Sequence, residues 1–308
     1  MISRRNIRVK VMQTIYTVNT LEGKSIDPQK ILEQHFTQTR ALLVYLIYFL
    51  SETARYVERD SHQRASKHLP SAEDLNVNTK IAGNEILLKI YEDASLQQQL
   101  KELKPELKID KELIRKIYLT LVETAEYQTY IHTTGRDKGS ERKIIEFILN
   151  DLILSNETVI SHIEEIFSNW DDDGEMVVQL LAAYIQKPGS IAFNQLLGAD
   201  KENFARSLLK TVLEKNDFLQ SLIIPKLKNW DPERIAQLDM IMMKMGVAEF
   251  LYFETIPPKV TINEYIDLAK DYSTPQSGQF VNGILDGLHK ELLAEGKIRK
   301  VDFKKKTY

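Results

Sequence analysis

Residues 257–285 read PPKVTINEYIDLAKDYSTPQSGQFVNGIL, and this stretch leaves little choice of structure. Pro257 and Pro258 end whatever precedes them, because a proline inside a helix removes a backbone donor and clashes with the preceding turn. Ile262, Tyr265, Ile266 and Ala269 then recur at helical spacing and form one apolar stripe. Thr261 and Glu264 have the S/T-x-x-E spacing of a capping box. Thr274 and Pro275 supply an N-cap and a first helical position for the next element. That second helix carries Phe280, Val281, Ile284, Leu285 and Leu288 on one side. Gly283 lies inside it, where glycine costs about 1 kcal/mol against alanine. A glycine kept at that cost implies a close neighbour, either another helix or a ligand.

The rest of the chain follows the same period. Ile7, Val11, Ile15 and Val18 give one buried face to a helix over Arg4–Thr20, with Arg5, Arg8 and Gln13 on its other face. A short connection through Gly23 leads to Asp27 and Pro28, a cap and a helix start. That helix continues past Arg40 into ALLVYLIYFL, the most deeply buried segment. Residues 61–78 are polar, contain Pro70 and read as an exposed loop. Helical patterns resume over 79–91, 111–130, 141–154, 157–170 and 175–186. Between them TTGRDKGS, residues 133–140, has two glycines and no apolar residue and is the best candidate for a mobile loop. No run of strict alternation occurs, so the class is all-α. Asn156, Ser161, Ile163, Asn169, Trp170 and Asp171 match Asn216, Ser221, Ile223, Asn229, Trp230 and Asp231 at an offset of 60. Two readings stay open: a duplicated unit, or two amphipathic helices that both end in a Trp-Asp turn.

Composition matters chiefly through what it excludes. There is no cysteine, so disulfides, thiolate metal sites and cysteine nucleophiles are absent. The histidines are scattered, with no pair at metal-ligand spacing on a helix. Asp171-Asp172-Asp173-Gly174 lacks the spacing of a calcium loop and reads as a helix cap. No glycine-rich phosphate loop occurs. No metal, cofactor or catalytic residue is expected. The longest apolar run, Ala41 to Leu50, is too short for a membrane span of about 20 residues, and a cytoplasmic protein is expected.

The net charge of −3 conceals an uneven distribution. Arg4, Arg5, Arg8 and Lys10 stand in the first sixteen residues without an acid. Lys297, Arg299, Lys300, Lys304, Lys305 and Lys306 face only Asp302 at the other end. Basic ends on an acidic body suggest an anionic partner met at the termini; solvated tails are the alternative.

The last helices also carry a resemblance. Pro258-Lys259-Val260, Ile262-Asn263-Glu264, Leu268-Ala269-Lys270 and Phe280-Val281-Asn282-Gly283, followed by Leu285-Asp286, resemble the C-terminal motifs of the NusB family of bacterial transcription antitermination factors. The resemblance extends back through Asp239, Glu233-Arg234-Ile235 and Trp230 to Phe204-Ala205-Arg206-Ser207-Leu208-Leu209. Arg4, Arg5, Arg8, Gln13 and Tyr16 resemble the family's arginine-rich first helix. It implies a NusB-like helical bundle built from 1–35 and 196–308. Residues 36–195 are then an inserted helical extension for which ordinary members have no room, and on the duplication reading it contains a partial repeat.

The resemblance further implies a non-catalytic protein that binds boxA-type single-stranded leader RNA together with NusE, a small-subunit ribosomal protein, and acts on RNA polymerase through that complex in ribosomal RNA operons. By position, Arg4, Arg5, Arg8, Gln13 and Phe280 are its RNA-binding candidates and Asp239 its NusE-binding candidate. Phe280 has two readings: ordinary core packing, or a base-stacking ring beside a basic groove. Asn6 stands where the family has a third consecutive arginine, and Thr274-Pro275-Gln276 lacks the family's acidic pair. The alternative function is a helical protein–protein adaptor on the same scaffold, using 36–195 as its contact surface and lacking RNA binding.

Overall fold

A computed structural model describes residues 2–21, 26–227 and 234–301, and among these every regular element is helical. The described chain separates into two compact units. One comprises Phe36–Leu196; the other joins Ile2–His35 to the residues from Leu197 onward.

In the second unit, α1 (Arg4–Thr20) is capped by Ser3, whose side chain accepts from the Asn6 N–H. Asp27 accepts from the Gln29 N–H at the start of α2 (Pro28–Ala65). The unit continues with α11 (Ala199–Glu214), α12 (Asn216–Ile223), α13 (Gln237–Tyr252), α14 (Pro258–Tyr272) and α15 (Ser277–Ala294). The central member is α13. It is apolar nearly all round, and Met242, Met243, Met245, Val247, Ala248 and Phe250 are fully buried. A helix without a polar face must be surrounded, and α1, α11, α12, α14 and α15 all pack on it.

The glycine that permits close packing is Gly246 on α13. A Cβ there would come within 2.9 Å of Leu285 Cδ2 and 3.4 Å of Tyr265, so α13 approaches α14 and α15 through this position. Gly283 does not have that role: a Cβ added there meets nothing within 4 Å among the described residues. The capping box is also replaced. The helix α14 begins at Pro258, before Thr261, and the Thr261 and Glu264 side chains turn inward to Glu249 and Arg8. Similarly, α15 begins at Ser277, and Thr274 belongs to the turn before it, its N–H donating to Ser277 Oγ over 3.2 Å.

The other unit continues α2 and adds α3 (Ala72–Leu75), α4 (Glu85–Glu92), α5 (Ala94–Leu103), α6 (Lys111–Glu123), α7 (Ala125–His132), α8 (Lys138–Phe147), α9 (Glu157–Ile166) and α10 (Trp170–Gln186). Val44, Tyr45, Phe49 and Leu50 of the apolar run are fully buried along α2. That helix runs on to Ala65, so the polar loop begins later than the composition suggests. Expected single helices are divided at capping residues: Asn84 starts α4 and Thr124 starts α7. A π-helical turn, Ile148–Ile153, follows α8 directly. The segment over 133–140 is tied down. Arg136 bonds Glu141 at 2.8 Å and the Lys80 carbonyl at 2.8 Å, and Asp137 caps α8.

Asp173 is buried and accepts from Thr39 Oγ1 and Asn169 Nδ2, both at 2.7 Å. The two halves of the repeat differ where both are described. Asn156 caps α9, whereas Asn216 is the first residue of α12 and accepts from Lys244. Asn229, Trp230 and Asp231, with the Gly23 connection, Glu233 and Lys304–Lys306, lie outside the described residues.

These packing differences predict opposite effects for two glycines. Gly246→Ala forces Leu285 aside in a closed core and is expected to lower stability by about 1–3 kcal/mol. Gly283→Ala gains helix propensity without a clash and is expected to raise it by about 1 kcal/mol. Urea denaturation followed by circular dichroism measures both; equal effects would show that the space at the two sites is the same.

Candidate nucleic-acid interface

The three arginines expected on RNA occupy three different environments. Arg8 is 1% exposed. Its Nε and Nη2 donate to Glu249 Oε1 and Oε2 at 2.7 and 3.0 Å, and Nη1 donates to Glu264 at 3.1 Å. Glu249, wholly buried, also accepts from Thr261 Oγ1 and the Tyr265 hydroxyl, each at 2.8 Å. Burial by itself lowers the Arg8 pKa, but the Glu249 hydrogen bonds and charge outweigh it and hold it above the ordinary arginine value. Burial, then the Glu249 charge, pushes the Tyr265 hydroxyl well up, so it remains a donor. Arg8 is therefore removed from the RNA-contacting set. The helix period placed it opposite Ile7 and Val11, but α1 is enclosed on more than one side.

Arg5 stays at the surface, with 39% of its side chain exposed. Nη2 lies 2.7 Å from Asp271 and Nη1 lies 3.7 Å from Asp267, both on α14 and both more than half exposed. Such exposed pairs contribute only about 0–1 kcal/mol, so a phosphate can exchange for these carboxylates. Arg4 is exposed, forms no ion pair among the described residues, and lies over the Phe204 ring at 5.7 Å. A cation held over a ring keeps its N–H edges available to an anion.

Gln13 is half-buried farther along α1, and Tyr16 is 41% exposed. Phe280 is half-buried in the first turns of α15. Gly278, two residues before it, packs against Lys270 of α14, where an added Cβ would lie 2.9 Å from Lys270 Cγ. Thus the C-terminal part of α14 is bordered by Arg5 on one side and by the start of α15 on the other. Lys259, Asn263 and Lys270 line the exposed strip of α14, and Gln279, Asn282, Gly283 and Gly287 are exposed on α15.

Asp239 departs from the expected surface position. It is 5% exposed, in the first turn of α13, and accepts from Ser277 Oγ at 2.7 Å. Its Oδ2 thereby anchors the start of α15, while Oδ1 has no hydrogen-bond partner among the described residues. Sequence reading missed both Glu249 and the Asp239–Ser277 bond. Glu249 could have been found: an acid within MIMMKMGVAEFL has no exposed face to occupy and so requires a buried partner.

Comparison with known proteins bears on this helical unit. The NusB family profile matches residues 165–290, which includes α10 to most of α15 but not α1. The transcription antitermination protein NusB of Salinibacter ruber is 34% identical over 137 residues, covering 44% of this chain and 80% of that protein. Its counterpart from Methylacidiphilum infernorum is 37% identical over 126 residues, 38% of this chain and 87% of the relative. That of Chloroherpeton thalassium is 34% identical over 134 residues, 41% and 64% respectively.

The buried network makes a prediction about Arg8 that a phosphate contact does not. Arg8→Ala leaves Glu249 charged and buried, and is expected to cost about 3–5 kcal/mol of stability. Arg4→Ala removes an exposed cation and is expected to change stability by no more than about 0.5 kcal/mol. Thermal melts of the two variants test the division.

Proposed function

The chain belongs to the NusB family, and on that premise we propose that it is a transcription antitermination factor binding boxA-type single-stranded leader RNA together with NusE. RNA polymerase is reached indirectly, through that complex, and no reaction is catalysed. The observation that carries the reading is the contrast between Arg8 and its neighbours. One arginine holds the helices together, while Arg4 and Arg5 stay at the surface on the same helix end. Arg4 and Arg5 meet phosphates, the half-buried Phe280 stacks on a base, and Gln13 lies farther along the same helix. The NusE contact is assigned to the surface around the start of α13, which Asp239 holds in place from within through its bond to Ser277.

We read 1–35 with 196–308 as the RNA-binding domain and 36–195 as an inserted helical extension. A specific observation favours a second use for that extension. Between Lys143 and Lys187 there is no lysine or arginine, and Glu164, Glu165, Asp171 and Glu175 are exposed without ion pairs among the described residues. A face of this kind suits a basic protein partner, as the adaptor reading requires.

The decisive measurement is binding of boxA RNA, with and without NusE, over a salt series. Arg4→Ala is expected to flatten the slope of log K against log salt by about 0.7, as for one lost phosphate contact on a single strand. Phe280→Ala is expected to cost about 1–3 kcal/mol with the slope retained, because stacking releases few counterions. Asp267→Asn with Asp271→Asn is expected to tighten binding several-fold by releasing Arg5. RNA affinity that ignores all of these changes transfers the case to the adaptor reading. For the partner, Asp239→Asn is expected to weaken NusE binding in calorimetry; unchanged affinity would move that contact elsewhere.

A further inference from the structure

Beside α1 lies a groove of about 600 Å³, bounded by α11 and by the C-terminal end of α13 with the residues that follow it. Its floor is an edge-to-face pair: the Phe204 and Phe253 rings lie 5.5 Å apart at 85°. Arg4 lines the groove with its guanidinium over Phe204, and Tyr252 lines it 44% exposed. Asn203 and Ser207 are exposed on the α11 wall, and the Asp200 and Glu254 carboxylates are exposed at its edges.

We infer that this groove is a second nucleotide subsite, taking one base of the RNA strand that continues past α1 on the side away from Phe280. The inference rests on the RNA-binding reading above and specifies where the strand goes. Arg4 has no carboxylate partner among the described residues and lines the groove, so a phosphate held there places the adjoining nucleoside over the floor. Tyr252 offers a ring for stacking, and every base has a face that can use it. Asp200, Glu254 and the Asn203 amide oxygen accept hydrogen bonds, so the bound base presents an amino donor, as adenine, guanine and cytosine do and uracil does not. The same carboxylates disfavour a second phosphate inside, which limits the subsite to one nucleotide.

The test compares two RNA probes on the full chain: a boxA-type core strand, and that strand extended at each end by purine nucleotides. The extended strand should bind the natural sequence about tenfold more tightly, the lower range for one base–aromatic stack. Tyr252→Ala should lose that gain while keeping core affinity, and Tyr252→Phe should retain it. Ser207→Trp fills the groove from an exposed helix position and should lose it too, with an unchanged melting temperature. A gain that persists in both Tyr252→Ala and Ser207→Trp overturns the subsite, as does core binding with no gain in the natural chain. If neither strand binds, the RNA-binding reading fails first and the subsite with it. If Ser207→Trp instead abolishes binding of a lysine-rich peptide and spares RNA, the carboxylates define a site for a basic segment and the subsite is overturned.

Discussion

The buried pairing of Arg8 with Glu249 fixes the helices on which the candidate interface is displayed. A carboxylate in an apolar helix interior is tolerated only when it is paired and its lone pairs are used. Glu249 satisfies both requirements with a forked arginine, a threonine and a tyrosine from two other helices. The bond geometry therefore sets the rotation of α1 and α14 about α13. Arg4 and Arg5 precede Arg8 by about one turn, so their directions follow from the same constraint. Arg5 reaches α14, and Arg4 lies over Phe204 on α11.

The surface is then sorted by how firmly each cation is held. Arg8 has strong, dry partners and no ligand can replace them. Arg5 has wet partners of small energetic value. Arg4 has a ring and, among the described residues, no carboxylate. This gradation along one turn of helix separates the residue that shapes the site from those able to serve it. A count of arginines at the chain terminus treats all three alike.

Much of the fold was legible in periodicity. The bounds of α1, the Asp27 start of α2 and the buried run from Ala41 to Leu50 follow from apolar spacing and turn chemistry. What escaped was tertiary. Thr261 and Glu264 have capping-box spacing, but a buried carboxylate and an arginine claim their side chains first. Gly283 suggested a tight contact, whereas the tight contact is at Gly246, whose neighbours are close in space and remote in sequence. Asp239 was placed by resemblance alone, and burial against Ser277 has no signature in either residue's local sequence. Phe280 could not be assigned to core or surface from spacing, because it flanks Val281 and Ile284 on the edge of the apolar stripe.

The chain beyond α15 returns to α13. Lys300 Nζ donates to the Glu249 and Phe253 carbonyls at 2.8 Å each, and the Val301 N–H donates to the Glu254 carbonyl at 3.1 Å. The ammonium thus closes the carbonyl end of the central helix, the location where a helix favours positive charge. The basic C-terminal segment therefore includes a structural lysine, whose loss a deletion series can mix with a loss of charge. A chain cut before Lys300 loses the clasp on α13 and, with it, the position of Phe253 in the groove floor. A chain cut after Val301 keeps that clasp and removes Lys304, Lys305 and Lys306 together with Asp302.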